Sequence, residues 1–488
     1  MAATDLPALI IAAGCGSRLS SVSTGRPKML VSVLGVPIID RVIGGLRAVG
    51  VREIVVTVGH GESLIRDHLG CGDRLGVHVR YAVNAAWADG NAGSVLAARE
   101  FLGREFLLVM GDHLIDERIL AAMLDREVPG DVLAAVDPSG AGEDATHVLC
   151  TDGRIADIGK QIPVWTGTDI GVFRCSDSYL TALATLVPAG VGELAATMRE
   201  VEVSALDISA IDPYIPKLRK GVAPWWVDID TPTDLAAAEH LLIDNAAKNA
   251  SDALAHWVHR PLENALVAPL ARTGRITPNQ VSIAVNILAY AVTALLATGA
   301  LLAGSLLSFA VGLADGLDGK LARVTGRVTR TGALEHAFDM LYEYSWILAL
   351  AWAIHDTEDT ATPLLLAGIT VTLVAFYRSI YDHYGKQAGH SLDDSSPFAR
   401  HFRRIAGRRN LYNIWILAGV LAGAPLFSLY AIAIHAAVTA TVYSAQTIVL
   451  LRRLDAAASS PLASAQATPP TIPDSSRTAS DSGGLARD

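Results

Sequence analysis

The sequence contains few cysteines and carries a net negative charge, and both facts exclude common classes of protein. Four cysteines occur in 488 residues, all in the first half and without metal-ligand spacing: Cys15, Cys71, Cys150 and Cys175. We therefore expect free thiols in a reducing cytoplasm rather than a disulfide framework or a cysteine-bound metal. The formal charge of -10 argues against general nucleic-acid binding.

Lysine and arginine are missing from alternate loops of the second half, which otherwise consists of long apolar runs. These runs lie near residues 280–298, 300–314, 335–354, 362–381, 411–425 and 427–451. Several approach the ~20 residues that a helix needs to cross a bilayer. TGALLAG, HDTEDTATP and GAPLF carry no Lys or Arg, while the other loops carry many. The positive-inside rule therefore predicts a multi-pass cell-membrane protein with both termini and the soluble half in the cytoplasm.

In the first half, strand-like and helix-like segments alternate. ALIIAAG, EIVVTVG, HVRYAV and FLLVMGD are strand candidates, and PIIDRVIGGLRAVG and AGSVLAAREFL have helical spacing. This alternation predicts a doubly wound, Rossmann-like α/β domain with a mostly parallel sheet, whose ligands bind beyond the carboxyl ends of the strands. We expect an α/β domain, a connector with a surface helix, an all-α domain of six transmembrane helices and a disordered tail: residues 1–245, 246–276, 277–454 and 455–488.

A glycine-rich turn follows the first predicted strand, in LIIAAGCGSRLSSVSTGRPKML. Gly14 and Gly16 let backbone N–H groups approach a phosphate chain, and Arg18 and Lys28 add positive charge. An ordinary turn between a strand and a helix would explain the glycines alone equally well. The spacing G-x-G-x-R followed by P-K, however, resembles the nucleotidyltransferases that join a sugar or alcohol phosphate to a nucleoside triphosphate.

This resemblance assigns a metal site to three acids. Asp112 ends the apolar strand in FLLVMGDHLID, and Asp228 and Asp230 lie in WWVDIDTPTDL. By resemblance these carboxylates hold Mg²⁺, which neutralises the α-phosphate while the incoming phosphate attacks. Any one of them alone would be better explained as a solvated surface residue.

The same resemblance assigns base and acceptor contacts. NAAWADGNAGSVLAA would read the base through Gly90, Asn91 and Ser94, while Lys160 would bind the acceptor phosphate and Asp169 the acceptor hydroxyls. An ordinary structural role explains each of these residues about as well. The MGDH segment resembles the inositol-1-phosphate cytidylyltransferases, which implies CTP and an inositol phosphate as substrates.

A second motif, DGLDGKLAR, ends the second apolar run and fits the pattern D-x-x-D-G-x-x-A-R. Asp315 and Asp318 lie one helical turn apart on a shared face, where two carboxylates bind a divalent metal. Gly319 leaves room for a nucleotide, and Arg323 would meet a phosphate. A juxtamembrane charge cluster would explain the basic residues but not acids at this spacing. The pattern resembles the CDP-alcohol phosphotransferases. The resemblance implies a bound Mg²⁺ or Mn²⁺ that binds the pyrophosphate of the CDP-alcohol.

The continuation departs from that family. Gly332 stands where expected, but His336 and Met340 occupy the two usual aspartate positions. Acids instead follow one helix face at i, i+4 and i+8: Glu335, Asp339 and Glu343. By resemblance Glu335 completes the metal site and Asp339 deprotonates the acceptor hydroxyl, unless His336 is the ligand or base instead. A polar helix that faces a cavity without catalysis is the open alternative.

The whole chain resembles the bifunctional proteins that fuse inositol-1-phosphate cytidylyltransferase to di-myo-inositol phosphate phosphate synthase. The resemblance implies that CTP and inositol 1-phosphate give CDP-inositol. Phosphoinositol then passes from this CDP-alcohol to an inositol phosphate, with release of CMP. It also implies contact with membrane lipid and a homodimer through the membrane domain, while the net charge predicts no nucleic-acid partner.

Several points stay open in the sequence. The basic segment FARHFRRIAGRRN would bind the acceptor phosphate, or it would simply mark the cytoplasmic membrane face. The acceptor would instead be a lipid or another polyol phosphate in one alternative. In a second alternative the membrane domain is catalytically silent and serves as an anchor or as a module that binds CDP-alcohol. A transporter fits less well, because the intramembrane acids cluster at one face.

Overall fold

The computed structural model describes residues 4–19, 23, 25–140, 145–216, 218–248, 254–329 and 334–458. Two predictions fall outside these residues: the glycine expected at position 332, and nearly all of the disordered tail expected from residue 455. The tail prediction differs at its start, because the last helix continues to Ala458.

Nine of the fifteen strands found in the described residues form one sheet in the first half of the chain. The strands are β1 Ala8–Ile11, β2 Ser32–Val33, β3 Val36–Pro37, β4 Glu53–Val58, β5 His78–Val83, β6 Glu105–Met110, β7 His113–Ile115, β8 Val132–Asp137, β9 His147–Thr151, β10 Arg154–Gly159, β11 Gly167–Ser176, β12 Val203–Asp207, β13 Tyr214–Ile215, β14 Lys220–Gly221 and β15 Trp226–Asp228. The sheet order is β5–β4–β1–β6–β11–β8–β12–β10–β9.

The sheet is mixed, whereas the sequence predicts a mostly parallel one. Strands β5, β4, β1 and β6 pair in parallel, and they are the four strands expected from the alternating segments. Strand β11 then joins antiparallel to both β6 and β8, and the strand pair β9–β10 is also antiparallel. Parallel pairing is therefore confined mainly to the edge that carries the glycine turn.

Both faces of the sheet are buried, as a doubly wound fold requires. Ala8 and Ile10 of β1 belong to one apolar cluster, and Leu9 and Ile11 belong to another. Because neighbouring residues of a strand point to opposite faces, the two clusters lie on either side of the sheet. The helices of this half are Ile38–Ala48, Glu62–Leu69, Ala92–Ala97, Glu117–Leu124, Asp177–Leu186, Leu194–Met198 and Pro232–Ala246.

The second half is helical in its described residues, and each predicted apolar run corresponds to a helix. Its helices are Arg260–Arg272, Pro278–Ala297, Leu301–Thr325, Glu335–Glu358, Thr362–Ala388, Pro397–Phe402, Arg409–Leu421 and Pro425–Ala458. Four are long and apolar enough to cross a membrane by length and composition: Pro278–Ala297, Leu301–Thr325, Thr362–Ala388 and Pro425–Ala456. We call Arg260–Arg272 the connector helix and Leu301–Thr325, which contains DGLDGKLAR, the motif helix.

We call the helical second half of the chain the membrane half. The α/β domain packs on it through one apolar cluster. Its members come from the β2–β3 turn, the last helix of the α/β domain, the connector helix and the motif helix: Leu34, Ile243, Ala246, Val267, Ala271, Leu317, Leu321 and Val324. Leu34 and Gly35 form the turn with φ values of 48° and 73°. A Cβ on Gly35 would lie 2.0 Å from the carbonyl oxygen of Ala271. Arg41 also donates to the Val324 carbonyl at 2.9 Å.

Candidate active sites

A buried lysine among three carboxylates forms the centre of the first site. Lys28 is only 4% exposed, and its Nζ lies 2.7 Å from Asp112 Oδ2 and 2.5 Å from Asp230 Oδ1. Asp228 Oδ1 lies 3.7 Å from the same nitrogen. Burial lowers the pKa of Lys28, but the Asp112 and Asp230 carboxylates outweigh burial and raise the pKa above its usual value. The ammonium group therefore stays charged and neutralises these acids.

Short strands bring Asp112 and Asp228 together. Asp112 follows the carboxyl end of β6, and Asp228 ends β15, which pairs antiparallel with β7 so that Asp228 lies opposite His113. Ligand atoms of Asp112, His113 and Asp228 all lie within 4.8 Å of one another. Among the described residues, Oδ1 of Asp112 and Oδ1 of Asp228 are buried and accept no hydrogen bond. Two unsatisfied carboxylate oxygens that face each other fit Mg²⁺, which prefers oxygen ligands.

His113 supplies further positive charge at this point. Its Nε2 lies 3.7 Å from Asp112 Oδ1 and 3.6 Å from Asp228 Oδ1, while its Nδ1 contacts the Ile170 carbonyl oxygen at 2.7 Å. Burial lowers the pKa of His113, but the adjacent Asp228 and Asp112 carboxylates outweigh burial and raise the pKa to about 9. The imidazolium and the Lys28 ammonium together offset the negative charge of the carboxylates, as a bound divalent cation would.

Two cavities adjoin this centre, and most of the predicted binding residues line one or the other, although Asn91 lines both. The smaller cavity, of about 340 Å³, is lined by the predicted nucleotide contacts: Gly14, Gly16, Gly90, Asn91 and Ser94. The larger, of about 720 Å³, is lined by the predicted acceptor contacts Lys160 and Asp169. Asp112 and Asp230 line both cavities. The structure thus places the predicted acids between the predicted nucleotide and acceptor residues.

Two of the three predicted nucleotide-binding glycines of the α/β domain are required by close packing. Gly16 has φ +59°, and a Cβ there would lie 2.4 Å from Cβ of Lys28. Gly90 has φ +120°, and its Cβ would lie 2.3 Å from the carbonyl oxygen of Gly192. A Cβ on Gly14 would meet no neighbour within 4 Å, so the small size of this residue matters only for what enters the cavity.

The side chains of Asn91 and Ser94 are engaged in holding their own loop. Asn91 Oδ1 accepts a hydrogen bond from the Leu194 backbone N–H at 2.7 Å. Ser94 is 2% exposed, and its Oγ accepts from Asn84 Nδ2 at 3.0 Å. Both residues line the smaller cavity, so their first effect is to fix the shape of its wall.

Asp169, which lines the larger cavity, has a carboxyl group with a raised pKa. Asp169 Oδ1 accepts from the Gly171 backbone N–H at 2.8 Å. Burial raises the pKa of Asp169 to about 6, because the charged form loses hydration there. Lys160, directly after β10, is exposed and contributes a positive charge to the same cavity. Arg18 lines both cavities, and its Nη2 lies 2.7 Å from Asp230 Oδ2.

In the membrane half, side chains from two other helices contact Asp315 of the motif helix. Arg409 Nη2 lies 2.5 Å from Asp315 Oδ2, and Tyr342 Oη donates to Asp315 Oδ1 at 3.2 Å. Asp339 also hydrogen-bonds to Asp315. Glu343, one turn beyond Asp339, has Oε1 3.7 Å from Arg409 Nη1. Asp339 therefore faces the motif helix, and Arg409 pairs with both Asp315 and Glu343.

The other residues of the DGLDGKLAR motif contact different neighbours. Asp318 is 2% exposed and accepts from Ser282 Oγ. Arg323 Nε donates to the Ala246 carbonyl at 2.7 Å, at the end of the α/β domain. A Cβ on Gly319 would lie 3.2 Å from Arg323 Nη1, so little room separates these two residues.

The membrane site is less complete than the first in the part of the chain that the structure describes. Asp315, Asp318 and Asp339 supply carboxylate oxygens, the donor type that suits Mg²⁺ or Mn²⁺. The metal-capable triad found among the described residues, however, is the one at Asp112. Glu335 begins its helix but its side chain lies outside the described residues, and His336 is exposed.

Sequence reasoning missed two residues that complete these sites. His113 stands directly after Asp112 in the quoted MGDH segment, and a histidine beside a strand-end aspartate was a usable signal. Arg409 belongs to the basic segment considered for a phosphate, but its pairing with Asp315 joins positions 94 residues apart in the chain. No local pattern reports a contact of that range.

Comparison with known proteins supports two different sites in one chain. Residues 7–137 match the nucleotidyl transferase family, and residues 275–440 match the CDP-alcohol phosphatidyltransferase family. A bifunctional IPC transferase and DIPP synthase of Rubrobacter xylanophilus is 35% identical over 334 residues, which cover 67% of this chain and 72% of that protein. One from Aquifex aeolicus is 26% identical over 453 residues, covering 89% of this chain and 97% of its own.

The solved structure of the inositol-1-phosphate CTP transferase from T. maritima covers 48% of this chain and 94% of its own, at 24% identity and a TM-score of 0.42. The two family matches, with the sites described above, define a membrane-embedded enzyme that joins a nucleotidyltransferase to a CDP-alcohol phosphotransferase. The Rubrobacter protein is similar across most of both chains. The chain belongs to the family of bifunctional IPC transferases and DIPP synthases.

Proposed function

We propose that this enzyme makes CDP-inositol from CTP and inositol 1-phosphate, and then transfers phosphoinositol from CDP-inositol to a second inositol phosphate. The observation that carries the proposal is the presence, in one chain, of the Lys28–Asp112–Asp228 centre between two cavities and of the DGLDGKLAR helix. The names of the similar proteins support the choice of substrates.

In the first reaction, a phosphate oxygen of inositol 1-phosphate attacks the α-phosphorus of CTP, and pyrophosphate leaves. The smaller cavity receives CTP, with the glycine turn, Arg18 and Lys28 against its phosphates. The larger cavity receives inositol 1-phosphate, with Lys160 on its phosphate and Asp169 on its hydroxyls. Asp112, Asp228 and Asp230 would hold Mg²⁺, which supplies charge neutralisation at the α-phosphate.

In the second reaction, an acceptor hydroxyl attacks the inositol-bearing phosphorus of CDP-inositol, and CMP leaves. Asp339 takes the hydroxyl proton, since it lies beside Asp315 at the centre of the site. Asp315 and Asp318, with Glu335, would hold the divalent metal that supplies charge neutralisation at the pyrophosphate. Gly319 and Arg323 adjoin the nucleotide, and the basic segment at 398–410 binds the acceptor phosphate.

The same proposal includes the arrangement in the membrane. Residues 1–245 form the cytoplasmic nucleotidyltransferase, 246–276 the connector, and 277–454 a domain of six spans. The positive-inside pattern supports both termini on the cytoplasmic side, with the DGLDGKLAR motif at the same face. Family resemblance supports a homodimer through the membrane domain.

Site-separated variants test the proposal. Purified protein in detergent with Mg²⁺ receives either CTP with inositol 1-phosphate, or CDP-inositol with inositol 1-phosphate. We expect Asp112→Asn to abolish pyrophosphate release and to spare CMP release from CDP-inositol, and Asp318→Asn to do the reverse. If both variants lose both reactions, or if neither loses one, the assignment of two separate sites is wrong.

A second candidate function deserves the same test because the acids of the membrane motif are displaced. Arg409 pairs with Asp315, and the usual aspartate positions hold His336 and Met340. If wild-type protein accumulates CDP-inositol and never releases CMP with inositol phosphate or a lipid extract, the membrane half is an anchor or a binding module. If CMP appears only with lipid extract, the acceptor is a lipid.

A further inference from the structure

A short hairpin of the α/β domain makes a second contact with the membrane half, through side chains that do not belong to the apolar cluster at Leu34. Strands β13 and β14 form it, and its side chains contact the loop after the helix Thr362–Ala388. Tyr214 Oη donates to Asp394 Oδ2 at 2.5 Å, and Arg219 Nη1 lies 3.4 Å from Asp393 Oδ2. The hairpin thus bonds to two consecutive acids of the other half.

Asp393 is shared by three arginines. It is 1% exposed, and its Oδ2 lies 3.4 Å from Arg219 Nη1, 3.2 Å from Arg403 Nη1 and 3.6 Å from Arg408 Nη2. Tyr381 Oη donates to the same oxygen at 2.6 Å. One carboxylate therefore fixes the directions of two arginines of the basic segment, and it is itself held by Arg219 from the α/β domain.

Two arginines of this cluster have hydrogen-bond donors that an anion could use. Three guanidinium groups share Asp393, and the adjacent Asp394 bonds to Tyr214. Arg403 is 9% exposed, and its Nε is buried without a hydrogen-bond acceptor in the part of the chain that the structure describes. The buried Nε of Arg408 also has none there. Buried guanidinium donors without acceptors are suited to phosphate oxygens.

The cluster adjoins the second active site. Arg408 contacts Asp393, and the next residue, Arg409, contacts Asp315 of the motif helix. An anion bound at Arg403 and Arg408 would therefore lie beside the acids that hold the CDP-alcohol. This is where the phosphate carried by an acceptor would be placed.

Arg219 also shows the backbone strain of a residue held in place for its contact. Its φ is +54°, and only four described non-glycine residues have positive φ: Leu34, Asp152, Arg219 and Asp359. Such a conformation is unfavourable for a residue with a Cβ, because the Cβ approaches the backbone too closely. Two of the four, Leu34 and Arg219, are α/β residues that contact the membrane half.

We propose that Arg219 is a positioning residue of the phosphotransfer site, supplied by the nucleotidyltransferase domain. It holds Asp393, and Asp393 orients Arg403 and Arg408 toward the phosphate of the acceptor. The second site is then complete only when the α/β domain is docked. This inference rests on the proposed function, because it needs an acceptor that carries a phosphate.

Steady-state kinetics of the full chain tests this role. With CDP-inositol supplied, we expect Arg219→Ala to raise the KM for inositol 1-phosphate roughly tenfold, the effect of one charged hydrogen bond. The kcat and the KM for CDP-inositol should stay near wild type. Arg219→Lys should restore part of the affinity. Arg154→Ala, which removes a 69% exposed arginine paired with Glu202, is the matched control and should change neither reaction.

Substitution of Asp393, which contacts Arg219, tests the same interaction. Asp393→Asn should raise the same KM, and the double variant Arg219→Ala/Asp393→Asn should be no worse than the more impaired single variant. Pyrophosphate release from CTP at the wild-type rate shows that the α/β domain of each variant is folded.

The failures are distinguishable. Unchanged KM in Arg219→Ala, or a fall in kcat alone that Arg219→Lys does not restore, overturns the positioning role while the proposed function stands. Strictly additive effects of the two substitutions also overturn it. No CMP release by the wild-type protein overturns the proposed function, and this inference with it.

Discussion

At the scale of single residues, the first site depends on one buried cation. Lys28 balances Asp112 and Asp230 at hydrogen-bond distance, and its removal leaves these carboxylates with only His113 and Arg18 as cationic neighbours. We expect Lys28→Met to lower pyrophosphate release by at least about 100-fold, since a positive charge at the reacting phosphates is lost. Transfer from supplied CDP-inositol should stay normal. Both rates are measured on the same preparation.

The matched control for this substitution is Arg80→Met. Arg80, on the edge strand β5, is a 54% exposed cation of the same domain and pairs with Glu53 of β4. It should leave both rates unchanged. Retention of cytidylyl transfer within about tenfold in Lys28→Met would contradict the role given to Lys28.

Asp169 links pH to stability in the larger cavity. Its folded-state pKa of about 6 lies above the ordinary value of 3.8, so the folded protein binds this proton more tightly than the unfolded chain. Stability from this group is present below about pH 4 and is lost as pH rises through about 6. Above that range, burial of the charged carboxylate lowers the free energy of unfolding by at most about 3 kcal/mol.

Asp169→Asn removes that cost and keeps an oxygen for the Gly171 N–H. We expect its thermal midpoint to exceed that of wild type at pH 8, with a smaller difference at pH 5. The KM for inositol 1-phosphate should rise, because an amide binds hydroxyl groups less strongly than a carboxylate. The exposed Asp125→Asn is the control. A midpoint difference that does not depend on pH would contradict this account.

The residues that could be predicted from the sequence are those in motifs. The glycine turn, Lys28, Asp112, Asp315 and Asp318 stand at spacings that chemistry makes recognisable. His113 and Arg409 matter through contacts made by pairing of β7 with β15 and by docking of distant helices. Such contacts depend on tertiary structure, and a single sequence does not report them.

At the scale of elements, the β2–β3 turn carries the docking of the α/β domain. Gly35 has φ +73° and abuts the backbone of Ala271, whereas Gly153 has φ +77° and no neighbour within 4 Å of an added Cβ. Alanine at either position introduces similar backbone strain, but only Gly35→Ala also forces the connector helix away.

We expect Gly35→Ala to lower the thermal midpoint of CMP release by more than Gly153→Ala does, since about 1 kcal/mol of strain is common to both. The rate of transfer from CDP-inositol at 25 °C should fall only in Gly35→Ala. Equal losses in the two variants would mean that the turn does not hold the domains together.

Elements were easier to predict than their pairing. The strand candidates at β1, β4, β5 and β6 have continuous or alternating apolar patterns, and the structure contains all four. The antiparallel entry of β11 was not predictable, because a strand buried on both faces reads the same in either direction. Likewise, the apolar runs predict helices in the membrane half, yet length and composition qualify only four described helices as spans.

At the scale of the whole molecule, the charge pattern predicts which loops face the cytoplasm. Cysteine labelling with a membrane-impermeant reagent checks it. We expect Thr298→Cys to be labelled in intact cells, and Arg400→Cys only after the membrane is permeabilised. Wild-type protein is the control, because the exposed Cys15 and Cys71 lie in the α/β domain. Labelling of wild type in intact cells would invert the proposed topology.

The most direct test of two sites acting in sequence is a time course. Wild-type protein in detergent, with Mg²⁺, CTP and excess inositol 1-phosphate, is followed by phosphorus NMR. The account predicts that pyrophosphate and CDP-inositol rise together, and that CDP-inositol then falls as CMP and a phosphodiester appear. CDP-inositol that only accumulates, or CMP release without prior CDP-inositol, would contradict it.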